Sequence, residues 1–135
     1  RVHIIDAGLE EGILAEVFSN EGVGTLIYAN EYQDIRPAQR KDIKAIHSLI
    51  QSSVANGELI DRSRAEIERL IGDFYVFELD KNVVACVAIH RFSEANMAEM
   101  ACVCVDPRFE NRGIGRCLMQ YVEKQARSEG LEHLF

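Results

Sequence analysis

The sequence predicts an α/β domain of the α+β type, in which helices flank a mainly antiparallel sheet. Three runs rich in β-branched and aromatic residues follow one another at residues 74–79, 83–92 and 97–105. Only short polar turns separate these runs, which is typical of an antiparallel meander. Segments with the helical spacing of apolar residues precede and follow the meander, so the helices are expected to cover its faces.

The composition excludes several classes of protein. The chain has 135 residues, of which 47% are hydrophobic and 27% charged, as expected for a globular protein. It carries a net charge of -7, which disfavours nucleic acid as a partner, because phosphate is held chiefly by basic side chains. No stretch approaches the roughly 20 consecutive apolar residues that cross a bilayer, and the first residues lack the pattern of a signal peptide. We therefore expect neither a nucleic-acid nor a membrane partner.

The four cysteines are predicted to be structural. Cys86, Cys102, Cys104 and Cys117 form no C-x-x-C pair and have no histidine at zinc-finger spacing, so no metal site is expected. Three of them lie within apolar runs, where free cysteine is commonly buried. Reduced core thiols predict a cytoplasmic protein.

The chain divides into two regions of different charge. Residues 1–34 hold one basic and seven acidic residues, whereas residues 35–135 are nearly balanced. The spacing of apolar residues predicts a strand at 2–6 and a helix at 10–18 in the first region. A glycine turn leading into another strand is predicted at 21–27, followed by a linker at 28–34. Such a unit cannot bury both of its faces alone. We therefore predict the end of one domain at 1–34 and a second domain at 35–135.

The second domain begins with a short strand at 35–38 and a helix at 39–56. Ser63 and Glu66 form a capping box that predicts a second, shorter helix. After the meander, a third helix follows Gly113-Ile114-Gly115, and residues 131–135 begin another strand. The remaining strands of this domain are expected beyond Phe135.

The glycine turn ahead of the third helix predicts a phosphate site. Glycines at a helix start let backbone N–H groups converge on an anion, and the helix dipole favours negative charge there. Arg108, Arg112 and Arg116 add positive charge. In the alternative interpretation, the glycines only shape a tight turn. Arg116-Cys117 stands where a P-loop needs Lys and then Ser or Thr, and the pattern of a dinucleotide fingerprint is also missing.

This segment resembles the acyl-coenzyme A loop of the GNAT acetyltransferases, with its pattern Arg/Gln-x-x-Gly-x-Gly/Ala. Gly113 and Gly115 match it, whereas Glu110 stands at the leading basic position, so Arg112 or Arg108 would supply the charge. The order of elements from residue 35 to residue 135 also matches that family. The resemblance implies a GNAT fold and acetyl-CoA as co-substrate, without a metal. It places coenzyme A on the backbone of one strand and on the following loop, at Cys102, Val103, Cys104, Val105, Asn111, Arg112, Gly113, Ile114, Gly115 and Arg116.

An acetyltransferase of this kind needs a proton acceptor, because only a neutral amine attacks the thioester. Glu99 is the only charged residue among residues 97–105 and is our candidate catalytic residue. Alternation along a strand predicts that it shares a face with Met97, Ala101 and Val103. In the alternative interpretation, Glu99 lies on a solvated face of the sheet.

Two further segments resemble the N-acetylglutamate synthases. Leu59-Ile60-Asp61-Arg62-Ser63-Arg64 matches their Leu-(Val/Ile)-x-Arg-Ser-Arg segment, which implies that Leu59 and Arg62 bind the substrate and that Arg62 contacts a carboxylate. Alternatively, Arg62 and Arg64 are surface side chains. Residues 1–27 resemble the end of the amino-acid-kinase-like domain that precedes the GNAT domain in that family. Their Glu-Gly-x-Gly-Thr segment implies regulatory contacts of Glu21 and Gly24 with arginine.

The expected function is that of an amino-acid N-acetyltransferase. It would transfer acetyl from acetyl-CoA to L-glutamate, the first step of arginine biosynthesis, in a complete protein that we expect to be a cytoplasmic homo-oligomer. Two alternatives stay open at this point: an acetyltransferase acting on a protein amine, and a noncatalytic module that senses acetyl-CoA or arginine.

Overall fold

The computed structural model describes residues 2–4, 25–27 and 34–135. In the first two ranges, strands β1 (Val2–Ile4) and β2 (Thr25–Ile27) pair antiparallel, with Val2 opposite Ile27. The predicted helix at 10–18, the regulatory candidates Glu21 and Gly24, and residues 28–33 of the predicted linker lie outside the described residues.

The remaining strands form a five-stranded mixed sheet, which confirms the predicted sheet flanked by helices. In spatial order these strands are β3 (Ile35–Pro37), β4 (Phe74–Leu79), β5 (Asn82–Phe92), β6 (Met97–Val105) and β7 (His133–Leu134). The first four pair antiparallel, and β7 runs parallel to β6. The predicted meander is therefore β4 to β6.

Within residues 34–135, three α-helices flank this sheet: α1 (Ile43–Ala55), α2 (Arg64–Arg69) and α3 (Ile114–Ser128). Helix α1 begins later than predicted because residues 40–42 form a 3₁₀ turn ahead of it. The capping box of α2 is present as predicted. The Ser63 hydroxyl accepts the Glu66 N–H at 3.2 Å, and the Glu66 carboxylate accepts the Ser63 N–H at 2.8 Å. Among the residues with described structure, no helix is long and apolar enough to cross a membrane.

Each face of the sheet is covered by its own apolar layer. On one face, Leu118 and Val122 of α3 pack with Val87 and Ile89 of β5. On the other face, the apolar side chains of α1 and α2 pack against those of the strands; this second layer includes Ile46, Ile50, Ile67, Phe74, Val76, Cys86, Cys102 and Cys104. Because side chains alternate between the two faces of a strand, the layer that a residue joins reveals its direction.

A β-bulge interrupts the pairing of β5 with β6. Cys86 lies opposite Cys104 and Ala88 lies opposite Ala101, so two residues of β6 face Val87 alone. One of these two, Cys102, has a φ of 53°, in the left-handed region. The extra residue reverses the alternation along β6. The prediction that Val103 shares the face of Glu99 is therefore wrong, since Val103 packs in the α3 layer.

Candidate active site

The bulge of β6 lines a cleft of about 540 Å³ on the face of the sheet that α1 and α2 cover. The opposite wall is the segment between these two helices. Five of the site residues predicted from the sequence meet here: Leu59, Arg62, Glu99, Cys102 and Val103. Glu58 also lines the cleft, as do Met100 and Ala101 of β6. The sequence did not single out Met100 and Ala101, because small or apolar side chains within a strand carry no sign of a binding role.

Arg62 is held at the cleft by its neighbours in the chain. It directly precedes Ser63, whose capping box anchors the backbone at the start of α2. Arg62 is half-buried, and its positive charge acts to lower the pKa of the Cys102 thiol. Among residues 34–135, no carboxylate forms an ion pair with Arg62. A half-buried cation without a protein carboxylate is suited to bind a carboxylate of a ligand.

The Cys102 thiol lies at the base of this cleft and is buried. Burial raises the pKa of the Cys102 thiol, and the nearby Arg62 guanidinium opposes this shift only in part. A thiol with a raised pKa is protonated near neutral pH and is a poor nucleophile. Cys86, Cys102, Cys104 and Cys117 are all free thiols, and the first three are buried, as the sequence predicted.

Glu99 is half-buried and lines the same cleft as Arg62. Its side chain points to the α1 and α2 side, because Ala98 and Met100 on either side of it join the α3 layer. Across the strand pair, Glu99 lies opposite His90. Glu99 and Arg62 thus both line this cleft.

The turn between β6 and α3 places a helix N-terminus beside the end of β6. Asn111 and Gly113 have φ angles of 60° and 80°, and Gly113 is the N-cap of α3. No side chain caps this end, and the first turn of α3 contains no acidic residue. A Cβ atom placed on Gly115 would lie 3.5 Å from Cγ2 of Val105, so the helix start packs against β6. This end of α3 is thus adjacent to the predicted coenzyme strand.

The arginines of this turn are not equivalent. Arg108 binds the Asp106 carboxylate at 2.8 Å, and this contact lowers the pKa of Asp106. The guanidinium groups of Arg108 and Arg112 lie over the Phe109 ring, 5.8 Å and 5.6 Å from its centre. Arg116 is exposed in the first turn of α3. Part of the positive charge expected from the sequence is therefore balanced within the turn.

One backbone edge of β6 is open beyond the bulge. Strand β7 pairs with Met97 and Ala98, and the Met100 N–H donates to the Phe135 carbonyl at 2.7 Å. For residues 102–105, no strand in the described part of the chain pairs with β6 on the side away from β5. An extended ligand with amide groups can hydrogen-bond to such an edge as an added strand does.

An open strand edge beside an uncapped helix N-terminus offers backbone groups that can bind an extended ligand carrying an anionic group. The model of one family, described as the acetyltransferase (GNAT) family, matches residues 40–135. The chain belongs to this family.

Individual relatives are also similar to this chain. An amino-acid acetyltransferase of Edwardsiella ictaluri is 42% identical over 136 residues, covering 100% of this chain and 31% of the relative. A solved N-acetylglutamate synthase of Neisseria gonorrhoeae, complexed with coenzyme A and N-acetyl-glutamate, is 31% identical with a TM-score of 0.72, over 91% of this chain and 29% of that one. A second structure of that synthase, with coenzyme A and L-arginine, is 33% identical with a TM-score of 0.65, over 94% and 29%. The chain thus spans about a third of these relatives' length.

Proposed function

We propose that this chain is part of an amino-acid N-acetyltransferase that transfers the acetyl group of acetyl-CoA to L-glutamate. The product would be N-acetyl-L-glutamate, made in the first step of arginine biosynthesis. One observation carries the proposal: Arg62 and Glu99 line the same cleft at the bulge of β6. The cleft therefore offers the Arg62 guanidinium to bind a carboxylate of the amino-acid substrate and the Glu99 carboxylate to take the proton of its amine. The relatives named above support this acceptor.

Coenzyme A is proposed to lie along the open edge of β6 and across the start of α3. The amide groups of its pantetheine arm would pair with the backbone of residues 102–105, as in strand addition. Its diphosphate would bind the N–H groups at the helix start from Gly113 to Arg116, with Asn111 and Arg112 beside it. Its thioester would then reach the bulge, because the two binding segments adjoin at Val105 and Gly115.

The reaction is a direct transfer. Arg62 binds a carboxylate of glutamate, with Leu59 beside it, and Glu99 takes one proton from the α-ammonium group, directly or through water. The neutral amine attacks the thioester carbon, so a C–N bond forms and the C–S bond breaks. The nitrogen then loses a second proton as the thiolate of coenzyme A takes one up. No enzyme nucleophile is needed, which agrees with the raised pKa of Cys102.

The test is release of coenzyme A thiol by the intact protein, with L-glutamate compared against other amino acids and an amine-bearing peptide. We expect glutamate-dependent release. Arg62→Ala should raise KM for glutamate about 10- to 100-fold, because a charge-assisted hydrogen bond is lost. The matched control is Arg64→Ala, since Arg64 is exposed in the neighbouring turn. An enzyme for protein amines would not depend on Arg62 in this way, and a sensing module would release no thiol.

The proposal also covers the rest of the expected protein. Residues 1–34 are proposed as the end of an amino-acid-kinase-like domain, with Glu21 and Gly24 contributing to an arginine site. The relative solved with L-arginine supports arginine as a candidate effector. Homo-oligomerisation and a cytoplasmic location are part of the same proposal, the latter supported by the free buried thiols.

A further inference from the structure

His90 is a largely buried histidine that no step of the proposed reaction uses. It lies on β5, and its side chain is 16% exposed. Nδ1 of its ring lies 3.0 Å from Oδ2 of Asp73. Because a carboxylate only accepts hydrogen bonds, Nδ1 carries the proton and donates it to Asp73. In the neutral ring, Nε2 is therefore a hydrogen-bond acceptor.

This Nε2 atom has no hydrogen-bond partner. Among the described residues it is the one buried side-chain nitrogen or oxygen atom in that state. Buried polar atoms are nearly always paired, and the exceptions call for an explanation. In the next strand, Glu99 is the residue directly opposite His90. Side chains in directly opposite positions lie on the same face, with Cβ atoms about 4.5–5.5 Å apart.

Nε2 of His90 and the Glu99 carboxylate form neither a hydrogen bond nor an ion pair in the structure. A carboxylate and an unprotonated Nε2 are both acceptors, so a hydrogen bond between them needs one proton and a turn of the two side chains toward each other. Either a protonated Glu99 would then donate to Nε2, or a protonated Nε2 would donate to Glu99. The opposed positions of the two residues allow this hydrogen bond to form when one proton arrives.

We propose that His90 is a positioning residue that acts through Glu99 by sharing the proton taken from the acceptor amine. This inference rests on the proposed function. The proton leaves the α-ammonium group for Glu99 and is then held between Glu99 and Nε2 of His90. It passes to solvent after the transfer, while the second amine proton leaves as the thiolate is protonated. No oxidant, reductant or further reactant is required.

The groups around the ring suit this role. Asp73, from the turn ahead of β4, holds Nδ1 and stabilises the ring when both nitrogens are protonated. Arg91 of β5 lies 3.8 Å from the other Asp73 oxygen and pairs with Glu129 after α3 at 2.6 Å. Glu99 of β6 is the charged group opposite. Arg91 thus helps to hold the Asp73 carboxylate in place beside the ring.

The test compares two replacements of His90 in the intact protein. In His90→Asn, the amide nitrogen can take the place of Nδ1 and keep the bond to Asp73, but nothing replaces Nε2. In His90→Gln, the amide reaches the Nε2 position but does not take up a proton near neutral pH. We expect both variants to lower kcat about 10- to 100-fold with KM for the acceptor unchanged, and to move the acid limb of the kcat against pH profile. His133→Asn is the control, because His133 is exposed on β7.

A double-mutant cycle separates this role from a structural one. In a Glu99→Gln background, His90→Asn should cause no further loss of kcat, because the two residues act on one proton. The inference is overturned if His90→Asn causes equal losses of kcat in both backgrounds, or if the His90 variants keep the wild-type pH profile. In either case, glutamate-dependent thiol release by the wild-type protein would still support the proposed function. A wild-type protein without such release overturns both. If one His90 variant does not fold, the other decides.

Discussion

The sharpest prediction concerns Gly113, the left-handed residue that ends the turn ahead of α3. Gly113→Ala adds a methyl group that meets nothing within 4 Å, so any loss of stability must come from the backbone. At a φ of 80°, an L-residue costs about 1–2 kcal/mol relative to glycine. Alanine is also a poorer N-cap than glycine. In the opposite direction, alanine lowers the entropy of the unfolded chain, which stabilises the folded state by about 0.4–1 kcal/mol. We expect a net loss of about 1–2 kcal/mol.

The matched control is Gly72→Ala. Gly72 also has nothing within 4 Å of its would-be Cβ, but its φ is not in the left-handed region. The same methyl group should therefore leave stability unchanged or raise it by about 0.4–1 kcal/mol. Urea unfolding of the intact protein gives both values. Calorimetry with coenzyme A should show weaker binding for Gly113→Ala alone. Equal stability of the two variants would refute the left-handed conformation at residue 113.

Two further predictions concern β3 and the bulge of β6. Arg36 holds the pKa of the buried Asp42 carboxyl below its ordinary value near 3.8. The Arg36–Asp42 pair therefore stabilises the fold fully above that pH, and this stabilisation is lost as the pH falls through the lower pKa of the folded state. Arg36→Met should lower the free energy of unfolding in urea at pH 7 by about 2–3 kcal/mol and flatten its dependence on pH below about 4. An unchanged dependence on pH in this acid range would contradict the role of the pair. At Cys102, which has a φ of 53°, valine should be less stable than glycine by about 2 kcal/mol, because β-branched side chains tolerate this region poorly. Thermal melting of Cys102→Val and Cys102→Gly checks this, and equal midpoints would count against the bulge.

Most elements of residues 35–135 could be predicted because their signals are local. The capping box lies within four consecutive residues, and the apolar periodicity of α3 spans one helix. The meander was equally visible, since its turns are short and its strands are rich in β-branched residues. The error at Val103 had a non-local cause. The bulge depends on how β6 pairs with β5, and the pattern of residues 97–105 alone contains no sign of the extra residue.

The candidate site was predictable residue by residue but not as an arrangement. Family resemblance singled out Arg62, and a lone charge in an apolar run singled out Glu99. Their positions are 37 residues apart in the sequence, and only the packing of the segment ahead of α2 against β6 places them on one cleft. His90 carried no local signal, because a histidine in an apolar strand is usually a satisfied core residue. Its unpaired nitrogen and its position opposite Glu99 exist only in the folded sheet.

The amino-acid order alone thus accounts for the helices, the strands and the chemical types of the candidate groups, since these depend on residues close together in the chain. The fold decided which of these groups meet, which face each side chain of β6 occupies, and which buried atom lacks a partner. These properties depend on pairing and packing between distant segments, whose register no local pattern encodes.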